Sequence, residues 1–318
     1  MATMTTQTET QAEARAPEQA PPAQGRARAA TATVGKRCYP YWFLLPAAVI
    51  YVVLFLLPTF ASFFFSLTRW TLTSYQIIGL DNFKLFFSEP QLFSGLTHSL
   101  IFAVITTGLK AVISLLLAVL LTSRIIGRSF LRSVVFFPVL VSTIGVGITF
   151  TVLMHPTAGV INQALATIGI QGPGWLTNPR YALYSVALVD VWKGVGLATV
   201  IYIAGIVSIP PEYFEAAAVD GAGFWERFRY VIVPLTRPAT VTVVILSLIY
   251  GLRSFDLIWA MTRGGPGFTS DVIASVIYKQ YQAGFFGLST AGNVVLFLLV
   301  TVIVVPLSFY LNRRETQL

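Results

Sequence analysis

Charge is what this chain has least of. Of its 318 residues only 11% are Asp, Glu, Lys or Arg, while 55% are hydrophobic and the mean hydropathy is +0.74. A soluble domain carries roughly 25% charged residues, so the composition excludes an ordinary water-exposed globule and points to an integral membrane protein. Cys38 is the only cysteine, which rules out an intrachain disulfide or a Cys-based metal site. Histidine is almost as scarce. His98 and His155 form no His-Glu-x-x-His run, and each falls at or near the outer end of an expected span, an interfacial position rather than a ligand pair. No Gly-x-x-x-x-Gly-Lys-Ser/Thr stretch occurs, so the chain is not expected to bind ATP through a P-loop. Nothing supports a Ser/His/Asp arrangement. The expectation is a non-enzyme that holds no metal or cofactor of its own.

What is present is long apolar runs. About 20 apolar residues in a helix cross the hydrocarbon, and six segments qualify: 41–66, 98–122, 131–153, 181–207, 239–260 and 286–311. Phe and Tyr are abundant, 24 and 13 residues, as suits lipid-facing and interfacial positions. Residues 1–37 lack large apolar side chains and cannot bury a core, so they are expected to form a disordered tail. The tail ends in a basic cluster (Arg26, Arg28, Lys36, Arg37) against a charge-free stretch from Cys38 to Thr68. A signal peptide has an apolar region of only about 7–15 residues; this one is far longer and reads as a retained anchor. The expected organisation is a tail, 1–37, followed by a transmembrane domain, 38–318, all-α with six helices.

The net charge of +8 admits a nucleic-acid partner or an orientation signal. The distribution favours the second. With the N-terminus inside, the tail, 123–132, 208–238 and the C-terminus hold 5, 3, 3 and 2 Lys/Arg, thirteen in all, whereas the outer loops hold five: Arg69, Lys84, Arg180, Arg263 and Lys279. Basic residues concentrate on the cytoplasmic side, so both termini are expected in the cytoplasm, in a multi-pass protein of the cell membrane with the lipid bilayer as its solvent and no nucleic-acid partner. Among the outer loops, Gly79-Leu-Asp-Asn-Phe83 reads as a turn entering an amphipathic run and Gly264-Gly-Pro-Gly267 as a breaker cluster. The latter lacks the Lys-Ser/Thr that a phosphate cradle needs.

One expected cytoplasmic segment is unlike the rest: Glu215-Ala-Ala-Ala-Val-Asp-Gly-Ala-Gly-Phe-Trp-Glu-Arg-Phe-Arg-Tyr-Val-Ile-Val-Pro234. Pro210-Pro211 ends the preceding span, 212–219 favours helix, Gly221 and Gly223 supply backbone conformations that other residues resist, and a second short helix, 224–233, closes at Pro234 and Pro238. The product is a helix–turn–helix elbow at the membrane surface. Small residues at 216–218 permit close approach of another surface, and Glu215 and Asp220 offer carboxylates to a basic partner. An ordinary interfacial helix fits the same composition.

The elbow resembles the EAA loop of permease subunits in binding-protein-dependent ABC importers. Glu215, Ala216, Ala217, Gly221, Val231, Val233 and Pro234 stand at the motif's spacing, with Val at two aliphatic positions, and Asp220-Gly221-Ala222 is similar to its core. The similarity covers nearly the whole chain after residue 40. Gly79-Leu-Asp-Asn-Phe83, Asp190-Val-Trp-Lys193, Ala204-Gly205 with Ile209-Pro210, Phe255-Asp256 and Thr262-Arg-Gly-Gly-Pro266 look like the sugar-uptake branch, in its MalF-type or UgpA-type member. The resemblance implies a type I permease fold with a cytoplasmic coupling helix, importing a sugar or oligosaccharide. It implies as partners a second permease subunit, two ATPase subunits that use the ATP, and an external solute-binding protein. It also implies that Glu215, Ala216, Ala217, Asp220, Gly221 and Pro234 dock the elbow in a groove of the ATPase, Glu215 pairing with an Arg there.

Lys110, Asp190, Lys193, Arg253 and Asp256 fall within or near expected spans, where a central charge costs about 2.5–3.5 kcal/mol on insertion scales. They must face protein or water. Asp190 and Lys193, and likewise Arg253 and Asp256, are three apart and share a helix face. They either line a hydrophilic path or form internal ion pairs that fix packing. Tyr250, Trp259, Ser289 and Asn293 in the last two spans have the aromatic and hydrogen-bonding character a sugar path needs. Two alternatives stay open: an ABC permease for a non-sugar solute, and a proton-driven carrier with Asp190 or Asp256 on its path.

Overall fold

The computed structural model describes residues 41–313, apart from Leu72 and Arg124, with the backbone alone at Tyr41. The expected tail and Cys38 lie outside the described residues. Two compact units are present, Met1–Pro58 and Thr59–Leu318. The described part of the first is helical, passing from one 3-10 turn (Tyr41–Leu44) through α-helix to a π turn (Val52–Leu56), and its large side chains are exposed on every face. The helical run Trp42–Ser66 (α1) that begins there is long and apolar enough to cross a membrane.

In the second unit the chain leaves α1 into an antiparallel hairpin, β1 (Thr68–Trp70) with β2 (Tyr75–Ile77), in the register Arg69 opposite Gln76. This hairpin departs from the all-α expectation. It is pinned by Asn82, whose buried amide donates to the carbonyls of Ser66 (2.8 Å) and Thr68 (2.9 Å) from the first turn of α2 (Asp81–Ser88). The helices that follow are α3 (Pro90–Thr122), α4 (Arg128–Leu140), α5 (Thr143–Leu153), α6 (Val160–Thr167), α7 (Ala182–Val207), α8 (Pro211–Val219), α9 (Phe224–Leu235), α10 (Arg237–Leu252), α11 (Asp256–Met261), α12 (Ile273–Gln282) and α13 (Phe286–Arg313).

α3 is the central pillar and shows why this fold belongs in lipid. Its buried face carries Ser99, Thr106, Thr107, Lys110 and Ser114, while Val104, Val112, Leu116 and Leu120 point outward. A soluble helix places its apolar stripe inward and polar residues outward; here the outer face is apolar while the inner face mixes Leu92, Phe102 and Val119 with hydroxyls, which are accommodated by back-bonds such as Thr106 to the Phe102 carbonyl (2.8 Å). α3 packs most extensively on α7 and α10, α12 packs on α13, and α11 on α5. Phe102, Leu183, Val186, Leu257 and Ile258 form one apolar cluster; Phe86, Leu92, Ile273, Val276 and Leu288 form another around α2, α12 and α13.

Among the described residues four helices are individually long and apolar enough to span: α1, α3, α7 and α13; two bent pairs, α4 with α5 at 99° and α9 with α10 at 67°, raise this to as many as six. The stretch 131–153, read from sequence as one helix, is two: α4 and α5 meet at 99° across Val141 and Ser142. Pro138 stands inside α4 and removes a backbone donor just before the bend. The expected 239–260 span likewise divides. α10 stops at Leu252, Arg253–Phe255 are non-helical, and α11 restarts at Asp256.

Candidate functional site: a charged cavity beside the elbow

The break after α10 opens onto a cavity of about 600 Å³ between α3, α5, α7 and α10. Lys110, Asp190, Lys193, Tyr250, Arg253, Ser254 and Asp256 contribute its polar lining. Five of the seven path candidates read from sequence therefore meet here: Asp190, Lys193, Tyr250, Arg253 and Asp256. Ser289 and Asn293 do not line it. Ser289 is buried and donates to the Ile277 carbonyl (3.0 Å), tying α13 to α12, and the Asn293 amide turns back to the Ser289 carbonyl (3.4 Å). Trp259 also lies off the cavity, in an aromatic group with Phe255 (5.6 Å) and Tyr278 (4.8 Å).

The charges pair otherwise than sequence spacing suggests. Asp190 accepts from Lys110 of α3 at 2.6 Å, with side-chain exposures of 22% and 6%, and not from Lys193 on its own helix. Gly194 permits this: a Cβ there would come within 2.6 Å of Lys110 Cε and 2.9 Å of its Nζ, so the lysine side chain must shift to admit any larger residue. Lys193, Arg253 and Asp256 make no ion pair among the described residues; Lys193 is half-buried, and the other two are exposed to the cavity. Irregular backbone is tolerated inside a membrane where it lines a water-filled cavity; Arg253, Ser254 and Phe255 all line the charged cavity.

The elbow adjoins this cavity. Ala198, Ile201 and Val243 line it and also belong to the apolar cluster that seats the elbow, into which α8 inserts Phe214 and α9 inserts Phe228 and Ile232. The turn between the two helices is a Schellman motif: Gly221 N–H donates to Ala218 O (3.1 Å) and Ala222 N–H to Ala217 O (2.8 Å). Gly221 has φ +76° with no atom within 4 Å of a built Cβ, so glycine is needed there for backbone conformation and not for space. The Glu226 carboxylate accepts from Gly223 N–H (2.6 Å) and caps α9, while the Arg227 guanidinium donates to Ala222 O (2.8 Å). Glu215, Ala216, Asp220 and Pro234 are all exposed, Ala217 is half-buried, and Val219, Phe224, Trp225 and Tyr230 add an apolar surface facing away from the bundle.

Sequence reasoning missed an ion pair on a fully buried carboxylate altogether. Asp271 is fully buried, bonds Lys279 (2.6 Å) and Ser275 Oγ (2.7 Å), and is wrapped by the Gly264–Gly267 turn, where a Cβ on Gly264 would overlap its carboxylate. The glycine-rich turn thus encloses a side-chain carboxylate of this chain. Only the run Asp271-x-x-x-Ser275-x-x-x-Lys279, three residues at helical spacing, hinted at it.

Residues 110–317 match the family described as "binding-protein-dependent transport system inner membrane component". The chain is 30% identical to the trehalose/maltose transport system permease protein MalF of Thermococcus litoralis, over 82% of this chain and 89% of the relative. It is also 30% identical to the probable starch degradation products transport system permease protein AmyD of Thermoanaerobacterium thermosulfurigenes, over 87% and 96%. In fold it is similar to a subunit of a bacterial ABC transporter that imports the acidic polysaccharide alginate, with a TM-score of 0.78 at 23% identity over 90% of this chain and 99% of that one. With about two thirds of its length inside the family match and its charged cavity set in a helical bundle with an apolar outer surface, the chain belongs to the inner-membrane components of binding-protein-dependent transport systems.

Proposed function

We propose that this chain is the membrane-spanning subunit of an ABC importer for a sugar or oligosaccharide, and that the charged cavity is its half of the translocation path. The observation that carries the reading is the broken helix: α10 ends and α11 begins around three residues that line the 600 Å³ cavity. A 16-residue helix is about 24 Å long, short of a hydrocarbon core of about 30 Å, so α10 and α11 cross together. On this reading α1, α3, the bent α4–α5 pair, α7 and α13 supply the other five crossings, with both termini and the elbow on the cytoplasmic side. The names of the relatives, which transport trehalose, maltose and starch products, support the cargo class. Lys193, Arg253 and Asp256 supply unpaired donors and acceptors, and Tyr250 an aromatic face, all suited to a polyhydroxylated solute.

The elbow is the lever. Its apolar outer surface and exposed Glu215 and Asp220 meet a separate ATPase subunit, and force enters the bundle through Phe214, Phe228 and Ile232, which sit on α3, α7 and α10. A second permease closes the other side of the cavity, and a loaded binding protein delivers solute from outside. The chain itself neither binds nor hydrolyses ATP. Uptake of radiolabelled maltodextrins into membrane vesicles tests this. ATP-driven uptake is expected, abolished by Gly221→Pro, because proline cannot adopt φ +76° or donate to Ala218. Uptake driven by a proton gradient in vesicles lacking ATP, or full uptake by Gly221→Pro, would overturn the reading.

A further inference from the structure

A second cavity, about 320 Å³, lies in a groove between α3, α4 and α7, apart from the proposed path. Val135, Phe136, Val200 and Ile203 make its walls apolar, and no carboxylate lines it. Arg132 stands at its rim. One guanidinium donor, Nη2, reaches the carbonyl of Leu121 (3.0 Å) and caps the last turn of α3. That explains one of five N–H groups. Its Nε is buried and has no hydrogen-bond partner, one of only two such side-chain atoms among the described residues. A buried donor without a partner is uncommon in a folded protein and calls for an explanation. Arg128, one helical turn earlier on α4, is exposed and adds a second positive charge with no acid on the helix to balance it.

We propose that this groove holds an anionic phospholipid, its phosphate on the Arg132 guanidinium and one acyl chain along α7 between Gly196 and Ile203. Depth agrees with the chemistry. The bond to Leu121 fixes the guanidinium level with the end of α3, at one end of the groove, and the groove runs from there for about 10 Å along α7. Basic pockets between membrane helices take lipid headgroups in this way. A free phosphate ion would leave the apolar walls wet, so the occupant is a lipid and not a soluble anion. The site is separate from the sugar path and does not depend on that reading.

Native mass spectrometry of the intact detergent-purified assembly tests the proposal, with phosphatidylglycerol, phosphatidylcholine or inorganic phosphate added back after delipidation. Wild type is expected to retain phosphatidylglycerol and to melt at higher temperature with it than with inorganic phosphate. Arg132→Gln should weaken retention about tenfold, the loss of one charge-assisted bond, and Arg132→Lys should recover part of it. Val200→Trp fills the groove without touching the guanidinium and should expel the lipid equally, which keeps the test decisive if Arg132→Gln does not fold. Equal phosphatidylglycerol retention by wild type and either groove variant would refute the site. So would stabilisation by inorganic phosphate as large as that by the lipid.

Discussion

Replacing Lys110 with Met strips the partner from Asp190 and asks how much the cross-bundle pair contributes. Breaking a buried ion pair from one side costs about 3–5 kcal/mol, most of it the penalty of the stranded charge. Asp190 is 22% exposed and faces the cavity, so water relieves part of that penalty, and about 2–3 kcal/mol is expected for Lys110→Met. Asp190→Asn strands Lys110, which is only 6% exposed, and belongs at about 3–5 kcal/mol. The double variant carries no stranded charge and should lie well below the sum of the two, with a coupling on the order of 3 kcal/mol. Gly194→Ala adds a carbon within 2.6 Å of Lys110 Cε. It should destabilise wild type by forcing the ammonium off Asp190, and do so much less in Asp190→Asn, where Lys110 has no bond to lose. Equilibrium unfolding in mixed detergent micelles reads all of these. Additive single variants, or a Gly194→Ala cost unchanged by Asp190→Asn, would refute the pairing and the glycine's role in it.

Three further variants probe the elbow and the glycine-rich turn. Gly221→Ala should cost about 1–2 kcal/mol through its left-handed backbone alone, since a methyl group there touches nothing, and Gly221→Asn should cost less because Asn tolerates that conformation; parallel melting and uptake assays check the order. Asp271→Asn leaves Lys279 without its counter-charge and loosens the turn around Gly264, with an expected loss of about 3 kcal/mol in the same unfolding assay and little change in substrate affinity, because neither residue lines the path.

The parts of this molecule legible in the sequence are those fixed by local chemistry. The elbow could be read from Pro210-Pro211, the alanines and Gly221 because a proline stop and a Schellman glycine act within a few residues. The long spans α3, α7 and α13 follow from composition. Asp190, Lys193, Arg253 and Asp256 stood out because a charge in an apolar run demands water or a partner. Which partner was not legible: Lys110 lies 80 residues from Asp190, and only the close approach of α3 and α7 at Gly194 decides it. The bends were hidden for the opposite reason. Residues 131–153 and 239–260 are apolar throughout most of their length, and hydropathy does not report that α4 turns by 99° into α5 or that α10 stops at Leu252. Ser289 and Asn293 had the right chemistry on α13, but they face α12 and their own helix and not the cavity.

The broken helix is where the account is most exposed. A cysteine placed at Ser254 in a Cys38→Ser background, challenged with a membrane-impermeant thiol reagent, measures whether water reaches the break. The account predicts that the thiol reacts, that its rate changes when nucleotide is trapped on the assembly, and that its modification blocks solute uptake. A thiol at 254 that stays unreactive in every nucleotide state, or that reacts with no effect on uptake, would contradict it.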